Sequence, residues 1–128
     1  MPRMPDTVKV RIPATTTHVA LLRAAASALA ARLDFPVDRI TELQIAVDEV
    51  CSRLMAVSEE PSFIRMEFVV EMDKSIRILA EVDGSRREDR DLLSEWSRVI
   101  LEAIARDIAP DLSNGRIGLS LRVARAVR

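Results

Sequence analysis

The sequence predicts an α+β domain, a two-layer sandwich in which helices cover one face of a mostly antiparallel sheet. Three observations lead there. Several segments alternate apolar and polar residues with a period of two, the mark of half-buried strands. Longer stretches between them repeat apolar residues every three or four positions or are rich in helix formers, the mark of helices lying on a surface. The segment order is strand, helix, helix, strand, strand, helix, strand. It lacks the regular alternation of a doubly wound parallel sheet and suits helices gathered on one side of an antiparallel one.

Val8, Val10 and Ile12 alternate with Lys9 and Arg11, and Pro13 ends this first strand because its ring cannot donate to a ladder. Thr15, Thr16 and Thr17 offer capping oxygens to a helix rich in Ala, Leu and Arg that runs from His18 to about Leu33. Asp34, Phe35 and Pro36 break it. A second helix begins near Val37 or Asp38 and runs to about Val57, with Ile40, Leu43, Val47, Val50 and Leu54 on one apolar face and Ala46 on its flank. Ile64, Met66, Phe68 and Val70, then Ile76, Ile78, Ala80 and Val82, form two alternating strands. The short link Met72 to Ser75 makes them an antiparallel hairpin. The segment from Asp83 to Asp91 is charged or polar at nearly every position and reads as an exposed loop. A third helix is expected from about Leu92 to Ala109, with Trp96, Val99, Ile100, Ala103 and Ile104 as its inward stripe. Asp111 to Gly115 then turn the chain into a last strand through Ile117, Leu119, Leu121 and Val123.

At 128 residues, 48% hydrophobic and 30% charged, the chain is expected to form one domain, residues 1–128, with a substantial core. A net charge of −1 gives no general attraction to nucleic acid or an anionic membrane. Aromatics are 3% and tyrosine is absent, which argues against stacking platforms for single strands. There is no apolar run of the roughly 18 residues that span a bilayer, and the N-terminus lacks the apolar core of a signal peptide. With a single cysteine, Cys51, neither an internal disulfide nor a cysteine-rich zinc site can form. Together these favour a cytoplasmic protein that recognises other proteins.

Candidates for chemistry are few. The glycines are Gly84, Gly115 and Gly118, and they form no phosphate-cradling motif. His18 has no Cys or His partner in the sequence and reads as structural or exposed. Cys51 adjoins the apolar face of the second helix and reads as a buried, inert thiol. Trp96 suits a partner interface and core packing equally. Ser62, Ser75 and Ser113 have no evident base. Glu49 and Arg53 stand four residues apart with the acid first, the favourable order for a helical surface ion pair.

The run Leu43-Gln-Ile-Ala-Val-Asp-Glu-Val-Cys-Ser-Arg-Leu-Met55 resembles the nucleotide-box helix of the anti-sigma factor kinases of bacterial stress and sporulation control. These belong to the histidine kinase/Hsp90-like ATPase superfamily. The family helix reads approximately Ala-Val-(Ser/Asp)-Glu-Ala-x-x-Asn. Ala46, Val47, Asp48 and Glu49 match it, and Leu43 and Ile45 fit its apolar frame. Leu101 to Ile108 resembles the family's final helix, and Gly115 to Val123 its last strand. The resemblance implies that fold and a protein that sequesters an RNA polymerase sigma factor. It also implies competition by an anti-anti-sigma antagonist and a homodimer built around the first strand, while charge and composition point to no direct contact with nucleic acid or membrane. Glu49 would be the catalytic carboxylate near a γ-phosphate, Arg53 and Asp83 would stand in the nucleotide site, and Asp48, Glu49 and Ser52 would face the partner.

The departures from the family pattern are equally specific. Its magnesium-holding asparagine is replaced by Arg53, which has donors and no acceptor. After Asp83, its glycine positions fall on Ser85 and Arg87. Its second glycine-rich turn falls near Glu95, Trp96 and Ser97. The expectation is therefore a degenerate site where ATP and magnesium bind weakly or not at all, with no metal site and no required cofactor. The alternatives are a working serine kinase acting on an anti-anti-sigma factor, and a non-catalytic scaffold with other protein partners.

Overall fold

The computed structural model describes residues 6–59, 62–83, 92–113 and 115–126. In chain order the elements are β1 (Thr7–Pro13), α1 (Thr16–Arg32), α2 (Val37–Val57), β2 (Phe63–Val70), β3 (Ile76–Asp83), α3 (Glu95–Ile104), β4 (Arg106–Ser113) and β5 (Arg116–Val123). The five strands form one sheet in the order β1-β2-β3-β5-β4, antiparallel at every step. The expected α+β sandwich is therefore the observed one, with an additional edge strand.

Alternation along the strands decides which sheet face is covered. On β2, Ile64, Met66 and Phe68 are buried, as are Ile76, Ile78, Ala80 and Val82 on β3. Register aligns them across the sheet, with Phe68 between Val8 and Ile78, and Ile78 opposite Leu121. The intervening residues, among them Lys9, Arg65, Glu67, Arg77 and Glu81, carry ion pairs on the other face.

Helix α2 has the predicted span. Its stripe of Leu43, Val47, Val50 and Leu54 is fully buried, and it packs against α1, α3, β3 and β5. Two polar ties fasten it to α1. Arg23 pairs with Asp48 at 2.7 Å, and Gln44 Nε2 donates to Ser27 Oγ at 2.6 Å. At its start lies Arg39, a guanidinium only 5% exposed. Arg39 donates to the carbonyl of Ala124 at 2.9 Å, to that of Ile104 at 3.2 Å and to Glu42 at 2.6 Å. It thus clamps the ends of α3 and β5 to the beginning of α2.

The structure corrects the sequence at three places. The third helix, expected to reach Ala109, stops at Ile104, and residues 106–113 are an eighth element, β4. The segment compared with the family's final helix, Leu101 to Ile108, is therefore half helix and half strand. Two causes are physical. Pro110 disfavours helical backbone at the residue before it, and the outer edge of β5 offers unpaired groups that β4 satisfies. Pro110 is tolerated because β4 is an edge strand. A bulge between Arg106 and Ala109 and a left-handed Asp107, at φ 57°, absorb the irregularity. Asp111 and Leu112 consequently belong to β4, not to a turn, and the turn closes at Gly115, whose φ of 73° suits glycine.

Second, the expected α3 stripe is only partly inward: Ile104 packs against the core and Ile100 is half-buried, but Trp96, Val99 and Ala103 face out. Trp96 is 71% and Val99 56% exposed, while Ser97 and Leu101 are buried. Third, Thr15 sits at the start of α1 but makes no side-chain cap. Its hydroxyl meets His18 Nδ1 at 2.8 Å, giving the histidine a local structural partner.

Phe68 has no exposure and sits in the middle of the sheet. Phe68→Asp would bury an unpaired carboxylate, and urea unfolding should show a loss of roughly 3–5 kcal/mol. Unchanged stability would remove Phe68 from the core.

Candidate functional site

With the inner stripe of α2 committed to the core, 100° per residue turns Asp48, Glu49, Ser52 and Arg53 toward its outer sides. Asp48 and Ser52 are exposed, and Glu49 and Arg53 are half-buried. Asp48 is held by Arg23 of α1. Glu49 turns the other way, toward α3.

The N-terminus of α3 explains where Glu49 goes. Ser94 is the N-cap, extended at φ −63° and ψ 164°, and its Oγ accepts the Ser97 N–H at 3.1 Å. Ser94 Oγ in turn donates to Ser97 Oγ at 3.0 Å, and Ser97 Oγ donates to Glu49 Oε2 at 2.5 Å. Arg53 adds a second tie, its Nε donating to the carbonyl of Leu92 at 2.7 Å. The expected Glu49–Arg53 pair is thus not among the ion pairs of the described residues. Each side chain instead reaches α3 or the segment leading into it.

The positions compared with the family's second glycine turn, Glu95, Trp96 and Ser97, are the first turn of α3. Ser85 and Arg87 lie outside the described residues. Asp83 is described but stands apart. Its side chain shares the open sheet face with Arg65, whose Nη2 lies 3.3 Å from Asp83 Oδ1. The structure therefore brings Glu49 and Arg53 to one place and leaves Asp83 across the sheet from them.

The donor set beside Glu49 does not fit a magnesium nucleotide. Among the described residues it comprises one carboxylate already engaged by Ser97 and a guanidinium with no lone pair to offer a cation, both tied to the start of α3. Among the described residues, no group of three or more His, Cys, Asp or Glu is arranged to hold a metal ion. Nor is any described helix long and apolar enough to cross a membrane.

Ser94 and Arg39 escaped the sequence reading, and Ser97 entered it only as a position of the family's second glycine-rich turn. Ser94 is a preferred N-cap residue type, and it could have placed the α3 start. Only the i,i+3 pair with Glu42 is local to Arg39, and the carbonyls that bury it lie 65 and 85 residues away. A further feature is a shallow concavity of about 550 Å³ on the open sheet face, around Leu79, Glu81, Arg116 and Gly118. Gly118 is there for space, since a Cβ would meet the Ala80 carbonyl oxygen at 2.9 Å.

The chain matches no protein-family model. Over 126 residues it is 27% identical to the anti-sigma-F factor RsbW of Mycobacterium tuberculosis, covering 93% of this chain and 74% of that protein. Over 99 residues it is 29% identical to the serine-protein kinase RsbW of Halalkalibacterium halodurans, covering 64% of this chain and 61% of the relative. Among solved structures, its fold is similar to the histidine kinase domain of a blue-light activated histidine kinase from Erythrobacter litoralis. There the TM-score is 0.56 at 12% identity, over 96% of this chain and 69% of that one.

Cys51 is fully buried on α2. Burial first, and then the nearby Asp48 carboxylate, push its thiol from 9.0 up to about 12, partly offset by Arg23. The native thiol should therefore resist a thiol reagent at pH 8 and react only on unfolding. The unfolded thiol releases its proton near 9 and the folded one near 12, so this group costs stability as pH rises above 9. Rapid labelling of native protein would show that Cys51 is accessible.

Proposed function

We propose that this chain, a relative of the serine kinase-like anti-sigma factors with the histidine kinase-like ATPase fold, is an anti-sigma regulator. It binds and sequesters an RNA polymerase sigma factor in the cytoplasm, and an anti-anti-sigma antagonist competes for it. The likeness to an anti-sigma-F factor over 93% of the chain supports the class of partner. The observation that favours binding over catalysis is the Ser97–Glu49 contact of 2.5 Å. The carboxylate that would have to serve phosphoryl transfer is held by the protein itself, and Arg53 replaces a metal ligand. Phosphoryl transfer depends on metal-bridged, positioned phosphates, and the described residues beside Glu49 offer no group of carboxylates for such a metal. Asp48 and Ser52, exposed beside Glu49, are the side chains assigned to the partner surface. A mixed, nearly neutral surface suits protein recognition better than DNA recognition. A homodimer formed through the first strand completes the reading.

A pull-down with tagged protein from the source bacterium should retain a sigma factor, and added antagonist should release it. Retention of none would remove the main support for this function. Titration calorimetry with magnesium and ATP should give no micromolar binding, because several charge-assisted contacts, each about 1.5–3 kcal/mol, are missing. Arg53→Asn alone should leave that result unchanged. Labelled phosphate appearing on an antagonist serine would promote the kinase alternative.

A further inference from the structure

We propose that Ser97 is a latch holding α3 closed over the Glu49 side of α2, and that α3 opens as a unit while the sheet and α2 stay folded. The first support is the chemistry of the contact. Ser97 is 2% exposed, and a hydroxyl buried so deeply must find a partner. It donates to Glu49 Oε2 at 2.5 Å, in the range of a charge-assisted O–H···O bond. The Ser94 hydroxyl feeds the same chain, donating to Ser97 Oγ while its oxygen accepts the Ser97 N–H. Each hydroxyl thus donates once, all bonds run toward the carboxylate, and the cap of α3 and its tie to α2 form one connected unit.

The second support is how little else fastens α3. Its fully buried residues are Ser97 and Leu101, whereas α2 buries Leu43, Ala46, Val47, Val50, Cys51 and Leu54 among others. Trp96 and Val99 are mostly exposed, and Ile104 adds only partial burial against the core. An element with few buried apolar contacts, held by polar bonds at its two ends, opens at lower cost than the core. Arg53 at Leu92 and Arg39 at Ile104 mark the two hinge ends. Opening frees the Glu49 carboxylate beside Asp48 and Ser52, so a protein bound over Glu49 and a closed α3 exclude one another. This consequence rests on the proposed use of that face for partner binding; the latch itself does not.

Native-state hydrogen exchange of the isolated protein, with no partner present, tests the latch. It therefore gives an answer even if the sigma-factor reading fails. In the wild-type chain, amides of residues 98–105 should exchange through an opening with a smaller urea dependence than those of residues 43–54. Ser97→Ala should speed exchange in α3 about tenfold, the loss of one charge-assisted hydrogen bond, and leave α2 unchanged. Glu49→Ala should act similarly, and Ser97→Ala combined with Glu49→Ala should add little to either alone. Should the variants not fold, the wild-type urea dependence still decides. Equal urea dependence in α2 and α3, unchanged α3 exchange in Ser97→Ala, or additive effects in the double variant would overturn the proposal.

Discussion

One buried stripe on α2 sets the orientation of everything around it. Leu43, Val47, Val50 and Leu54 have no exposure, and burying each contributes roughly 1.5–3 kcal/mol. A helix so held cannot rotate about its axis without exposing that stripe. The outer residues are fixed as a result: Asp48 must meet α1, and Glu49 and Arg53 must meet whatever covers the other side. The polar contacts do not create this arrangement. They fit side chains into places that packing has already determined, which is why single hydrogen bonds here can govern α3 without governing the fold.

Arg39 shows the same order of causes in reverse. A buried guanidinium is tolerated only when its donors are met, and here carbonyls at the ends of α3 and β5 meet them together with Glu42. The result joins three chain segments that are distant in sequence at one corner. The far corner of α3, at Ser94 and Ser97, is joined by hydroxyls and a carboxylate instead. The helix is thus fixed by one buried guanidinium at its C-terminal end, and by two hydroxyls, the Glu49 carboxylate and the Arg53 tie to Leu92 at its N-terminal end.

Much of the fold was legible because α2 and the central strands bury the residues their periodicity selects. Phe68, Ile78 and Leu119 lie where alternation places them. Helix α3 failed in part for an identifiable reason: of Trp96, Val99, Ile100, Ala103 and Ile104 only Ile104 packs against the core, because periodicity reports that a helix has an apolar side without saying what that side faces. Strand β4 was missed because Arg106 to Ser113 does not alternate and contains Pro110; its strand character comes from the open edge of β5, a tertiary cause. At the site, the sequence supplied Glu49 and Arg53 and also their wrong mutual partner. Spacing of four allows an ion pair, yet long side chains choose among all neighbours, and the neighbours here came from α3. Asp83 illustrates parity: one position off the buried set of β3 puts its side chain on the opposite sheet face.

The two rims of the sheet differ in a way that bears on how the protein survives at high concentration. At one rim β4 carries Pro110, which has no N–H to give, and the bulge beside Asp107 breaks the regular spacing of the remaining groups. A second strand cannot zip along it. At the other rim β1 is a regular strand over Thr7–Pro13, and its Lys9 and Arg11 are engaged by Glu67 and the Phe63 ring, so this edge stays open to the one pairing the proposed homodimer uses. Sheet growth from chain to chain is therefore stopped at the β4 rim, and a pair joined through β1 would present only two such blocked rims.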